Sequence, residues 1–130
     1  MPDSPTAVPP ELLVACLCAD WCRTCDAYRD TLLTVRDDLR ADHPAWALRF
    51  VWIDIEDESE LIGDLDVENF PTIVLARGSE VLFAGPVMPH PGTIERLVQG
   101  AIEGSLGRPL EAFHPDVLAL PQRLDGHAIL

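Results

Sequence analysis

The stretch Ala19-Asp20-Trp21-Cys22-Arg23-Thr24-Cys25 holds two thiols separated by two residues. An apolar run that reads as a strand precedes it, and a helical pattern follows. A strand ending in C-x-x-C at a helix N-terminus sets one thiol at the exposed tip and the other about a turn further in. Free first-turn N–H groups and the positive end of the helix dipole stabilise a thiolate at that tip. The thiolate is the attacking species in disulfide exchange, and a second thiol resolves the mixed disulfide. The pattern points to a redox device.

Two further cysteines, Cys16 and Cys18, make the whole array C-x-C-x₃-C-x₂-C. A zinc or iron–sulfur site would need these thiolates to converge, and such sites usually pair knuckles on loops or a hairpin. Here Cys16 and Cys18 lie inside an apolar strand, so both are expected to be core filler, since free cysteine behaves as a small hydrophobe. His43, His90, His114 and His127 lack ligand spacing and read as solvated surface residues. Trp46 and Trp52 read as core, and Glu56-Asp57-Glu58 as a solvated turn without a calcium-loop pattern.

The elements that must position the thiols follow from periodicity. Glu11 to Ala19 is apolar on both faces, as a buried central strand requires, and Cys16 and Cys18 share one of those faces. Tyr28, Leu32, Val35 and Leu39 recur at helical spacing, and Asp42-His43-Pro44 ends the helix. Asp20 or a neighbour is expected to cap it. Leu48 to Ile55 reads as a second strand, parallel to the first across a right-handed crossover. Leu61, Ile62 and Leu65 suggest a short helix. Thr72 to Ala76 and Val81 to Ala84 flank Arg77-Gly78-Ser79-Glu80 as a hairpin. Ile94, Leu97, Val98, Ala101 and Ile102 form a helical stripe that Gly104 stops. Beyond it lies a proline-punctuated tail in which Pro115 opens one short helix.

With 130 residues, 48% hydrophobic and 24% charged, the chain suits one domain with a real core. Twenty-two acidic against nine basic residues give a net charge of −13. Such a surface repels nucleic acid and anionic membranes, so neither is an expected partner. Leu13-Val14-Ala15-Cys16 looks like a lipoprotein cleavage box. The residues before it lack the positive charge a signal peptide needs, and several prolines interrupt them. No apolar run approaches the ~20 residues of a membrane span. A cytoplasmic location is expected, where a C-x-x-C pair cycles or binds metal more often than it staples a fold.

Taken together, this order of elements resembles the thioredoxin-like family, with W-C-x-x-C after the first strand and Phe70-Pro71-Thr72 opening the third. The resemblance covers roughly residues 11–104, leaving 1–10 as a leader and 105–130 as a C-terminal extension. It implies an α/β fold, a mixed four-stranded sheet with helices on both faces. It also implies that Cys22 is the nucleophile and Cys25 the resolving thiol, with the Phe70–Pro71 bond cis. Trp21, Arg23, Thr24, Phe70 and Pro71 would then contact the substrate, Phe70 through its backbone as in strand addition.

The sequence departs from that family in three ways. The initial strand and helix are missing, as in the shorter glutaredoxin-like core. The buried aspartate six positions before the first motif cysteine is replaced by Cys16, and the lysine of the second strand by Trp52. Arg23-Thr24 replaces Gly-Pro between the cysteines; Arg23 favours a Cys22 thiolate and Asp20 opposes it. The function expected is thiol–disulfide exchange with protein or small-molecule disulfides, fed by a thiol reductant and needing no bound cofactor. Two alternatives stand beside it: a binding or assembly module with a vestigial or regulatory pair, and a cysteine-ligated metal protein.

Overall fold

A computed structural model describes residues 10–107 and 112–130. The expected leader, apart from Pro10, and Pro109 and Leu110 of the tail lie outside these. The element order is β1 (Glu11–Cys18), α1 (Arg23–Asp42), β2 (Ala47–Asp54), α2 (Ser59–Ile62), β3 (Thr72–Arg77), β4 (Glu80–Pro86), α3 (Pro91–Glu103) and α4 (Pro115–Arg123). The four strands form one sheet in the order β2-β1-β3-β4. β1 runs parallel to β2 and antiparallel to β3, and β3 and β4 form an antiparallel hairpin. The mixed α/β sheet implied by the sequence is the one observed.

β1 is central because every residue from Leu12 to Cys18 is apolar and buried. Its alternation divides the core into two layers. Leu12, Val14, Cys16 and Cys18 pack with Tyr28, Leu32, Val35 and Leu39 of α1 and with Ile94 and Val98 of α3. Leu13, Ala15 and Leu17 pack on the opposite face with Ile62 of α2 and Val117 and Leu120 of α4. Each face of the sheet is therefore covered by helices.

α1 buries Cys25, Tyr28, Leu32, Val35 and Leu39, a repeat of three and four residues that keeps one stripe on the sheet. Asp26 in its first turn and Arg40 in its last complement the helix dipole. Arg40 also donates to the Leu48 carbonyl of β2 at 3.0 Å, tying the far end of the helix to the sheet. His43 closes the helix through its N–H to the Leu39 carbonyl, 2.9 Å, one residue before Pro44.

Residues 112–130 pack back onto the core. α4 begins at Pro115 in its first turn, and the His114 ring caps it by accepting the Asp116 N–H at 3.0 Å. Val117, Leu120 and Leu124 complete the second apolar layer. Arg49 of β2 donates to the carbonyls of Leu124 and His127, and the Leu130 N–H donates to the Phe50 carbonyl of the same outer strand at 2.8 Å. His127 Nε2 pairs with Glu58 at 2.5 Å. His114 is exposed, as the sequence suggests, while capping α4; His127, part-buried against Glu58, and His43, half-buried at its helix end, are not the solvated residues expected.

Candidate active site

The thiols gather where β1 ends and α1 begins. Cys22 is the N-cap of α1, with φ −90° and ψ 115°, and its side chain makes no capping hydrogen bond. The cap, expected at Asp20 or a neighbour, falls two residues after Asp20, because Asp20 and Trp21 form the turn that precedes the helix. The Cys22 N–H donates to the Ala19 carbonyl at 3.0 Å, and the Cys22 carbonyl accepts the Asp26 N–H at 3.2 Å. Its half-buried thiol stands at the positive end of the helix. Arg23 and Thr24 are exposed on the first turn, while Cys25 is 1% exposed on the buried stripe of α1.

Cys25 is disulfide-bonded to Cys18, the last residue of β1, with their Cα atoms 5.8 Å apart. Core filler therefore describes Cys16 but not Cys18. Alternation puts both strand cysteines on the α1 face, and the first turn of α1 lies directly over the end of the strand. That convergence depends on how the loop 19–22 turns, which periodicity does not specify. Cys16 is a buried free thiol whose Sγ lies 3.8 Å from Cys18 Sγ. Because Cys18 is bonded and carries no proton, Cys16 is the S–H donor of that contact. Burial raises the Cys16 thiol's pKa far above its ordinary value and holds it protonated.

Opposite Cys16 in the β1–β2 register stands Trp52, part-buried against the first core layer. The Arg29 guanidinium lies 5.1 Å from its ring centroid, a cation–π contact. Tyr28 is buried in the same layer, and desolvation, with Cys16 nearby, raises its hydroxyl's pKa and keeps it neutral.

A second loop borders the thiols. The Phe70–Pro71 peptide is cis, Pro71 is buried and Phe70 half-buried. Trp21, 67% exposed, meets Phe70 edge to face with centroids 5.5 Å apart, linking the cysteine loop to the proline loop. Such a pair adds about 0.5–1.5 kcal/mol beyond area burial, and less when solvated as here. The Pro71 carbonyl accepts the Val87 N–H at 3.0 Å. Among the described residues, neither backbone group of Phe70 is engaged by another protein group. Also among the described residues, no three His, Cys, Asp or Glu side chains converge as metal ligands.

The profile of the Thioredoxin family matches residues 7–87. The chain belongs to the thioredoxin family. Solved structures agree on the fold. The germline-specific thioredoxin Deadhead of Drosophila melanogaster is 20% identical, with 72% of this chain and 80% of that one covered at a TM-score of 0.53. Mitochondrial thioredoxin 3 of Saccharomyces cerevisiae, in its oxidised form, is 23% identical over 71% and 77%, TM-score 0.52. Human ERp44 is 15% identical over 70% of this chain and a quarter, 25%, of its own length, TM-score 0.59. No curated protein matches the chain. A thioredoxin fold carrying a bonded cysteine pair supports a thiol–disulfide redox role in general terms. Among the described residues, no helix is long and apolar enough to cross a membrane.

Proposed function

We propose that this thioredoxin-family protein is a thiol–disulfide oxidoreductase acting on protein or small-molecule disulfides through Cys22 and Cys25. One observation carries the reading: Cys22 is a free, half-buried thiol at the uncapped start of α1, one turn from Cys25. Its thiolate attacks a substrate disulfide and releases one substrate thiolate. The Cys25 thiolate then attacks Cys22 Sγ in the mixed disulfide and releases the other. Trp21, Arg23 and Thr24 border the attacking sulfur, and the free N–H and carbonyl of Phe70 suit an extended substrate chain laid beside Pro71. A thiol reductant returns the pair to its reduced state, and a cytoplasmic setting supplies one. Residues 11–104 form the catalytic core in this reading, and residues 105–130 its structural extension.

The engagement of Cys25 with Cys18 favours one rival, a binding module whose Cys22/Cys25 pair does not turn over. Substrate trapping separates the two. With insulin as the disulfide substrate, Cys25→Ser accumulates a covalent adduct on Cys22 that dithiothreitol releases. The Cys22→Ser/Cys25→Ser protein accumulates none. Equal, dithiothreitol-resistant capture of insulin by both proteins supports the binding module instead.

A further inference from the structure

Building on the exchange chemistry just proposed, we infer that Cys18 is a third redox residue, taking Cys25 over from Cys22 and storing the disulfide inside the core. Three placements carry this. Cys25 is bonded to Cys18. Cys22, the other thiol near it in sequence, is free and reaches solvent. Cys16 donates an S–H to Cys18 from 3.8 Å and is itself held as a thiol by burial, so the chain of exchange ends at Cys18.

The step is an exchange within the chain. A Cys22–Cys25 disulfide, made when the substrate disulfide is reduced, is attacked at Cys25 Sγ by Cys18 after its proton passes to solvent. The Cys18–Cys25 bond forms, the Cys22–Cys25 bond breaks, and Cys22 leaves as a thiolate. One disulfide is consumed and one is made, so no further oxidant or reductant enters. Direction follows from charge placement: a sulfur anion at Cys18 would be buried and desolvated. At Cys22 it meets solvent and the positive end of α1. The neutral disulfide suits the core, with both its cysteines 1% exposed. In this stored form Cys22 is a lone thiol, able to form mixed disulfides that Cys25 no longer resolves.

Sequence makes the test direct, because cleavage before Asp20 and after Arg23 separates Cys16/Cys18, Cys22 and Cys25 onto different peptides. Fully reduced protein is mixed with insulin, quenched in acid at successive times, alkylated and mapped. The expected order is a Cys22–Cys25 link first, then its loss as the Cys25 peptide becomes linked to the Cys16/Cys18 peptide and Cys22 becomes alkylated. Cys16→Ala keeps the second link, and Cys18→Ala loses it and leaves Cys22 unalkylated. Cys22→Ser forms no such link with insulin. A wild-type map that stays at Cys22–Cys25, with Cys18 alkylated on denaturation, overturns the inference and leaves the proposed function standing. Formation of the inner link at the wild-type rate in Cys22→Ser also overturns it. Insulin reduction undiminished in Cys22→Ser would instead strike the proposed function itself.

Discussion

Cys18 shows how far single residues could be read from the sequence. Its period-two partnership with Cys16 was legible, and so was the buried stripe of α1 that begins at Cys25. What joined them was the turn at Ala19–Trp21, where tertiary geometry decides which strand end meets which helix turn. The same holds for His127, which carries no pattern of its own yet meets Glu58 across the fold. The hydrogen bond to Glu58, helped by the Ala128 carbonyl and opposed by burial and Arg49, raises the His127 pKa above its ordinary value. A group with a raised folded pKa contributes stability that is full below its unfolded value, about 6.5, and is lost as pH rises through the folded one. Urea unfolding at about pH 6 and about pH 8 should therefore show wild type losing more stability on the alkaline side than His127→Gln. Equal losses in the two proteins would remove this role.

At the scale of elements, strands and long helices were readable to within a few residues, because each carries its own apolar pattern. β1 is continuous apolar sequence, and α1 and α3 carry clean stripes. α4 was legible only as a start signal at Pro115. Its four apolar residues, Val117 to Leu120, are consecutive and draw no stripe that tells a docked helix from a free one. Docking rests on contacts with distant chain: Arg123 donates to the Leu61 carbonyl of α2 at 3.0 Å, and Asp116 accepts the Asp64 N–H at 2.9 Å just past α2. Within α4, Arg123 also donates to Asp116 at 2.8 Å. Those partners, Arg123 first, hold the Asp116 pKa below the usual carboxylate range. Gly63 lies at this junction with φ +59°, and a Cβ there would stand 2.5 Å from Asp116 Oδ1. Gly63→Ala thus meets both a left-handed backbone and a blocked space, and should cost about 1–3 kcal/mol in urea unfolding. Unchanged stability would contradict both the backbone strain and the blocked space at this junction.

Across the whole molecule, the two faces of one sheet have different tasks. The face under α1 and α3 holds all four cysteines' surroundings, with Cys16, Cys18 and Cys25 in its apolar layer and Cys22 packed against it. The opposite face, closed by α2 and α4, contains no cysteine and serves to fix β1. The C-terminal residues extend that support to the outer strand β2 through Arg49 and Phe50. An acidic chain of net charge −13 carries the site, which suits uncharged or basic protein partners better than anionic ones.

In the proposed function, Cys22 initiates disulfide exchange. Dithiothreitol-driven insulin reduction by wild type and by Cys22→Ser tests it most directly. Catalysed turnover by wild type, and a rate no higher than dithiothreitol alone with Cys22→Ser, is the predicted result. Turnover by Cys22→Ser equal to wild type, or none by either protein, would contradict it.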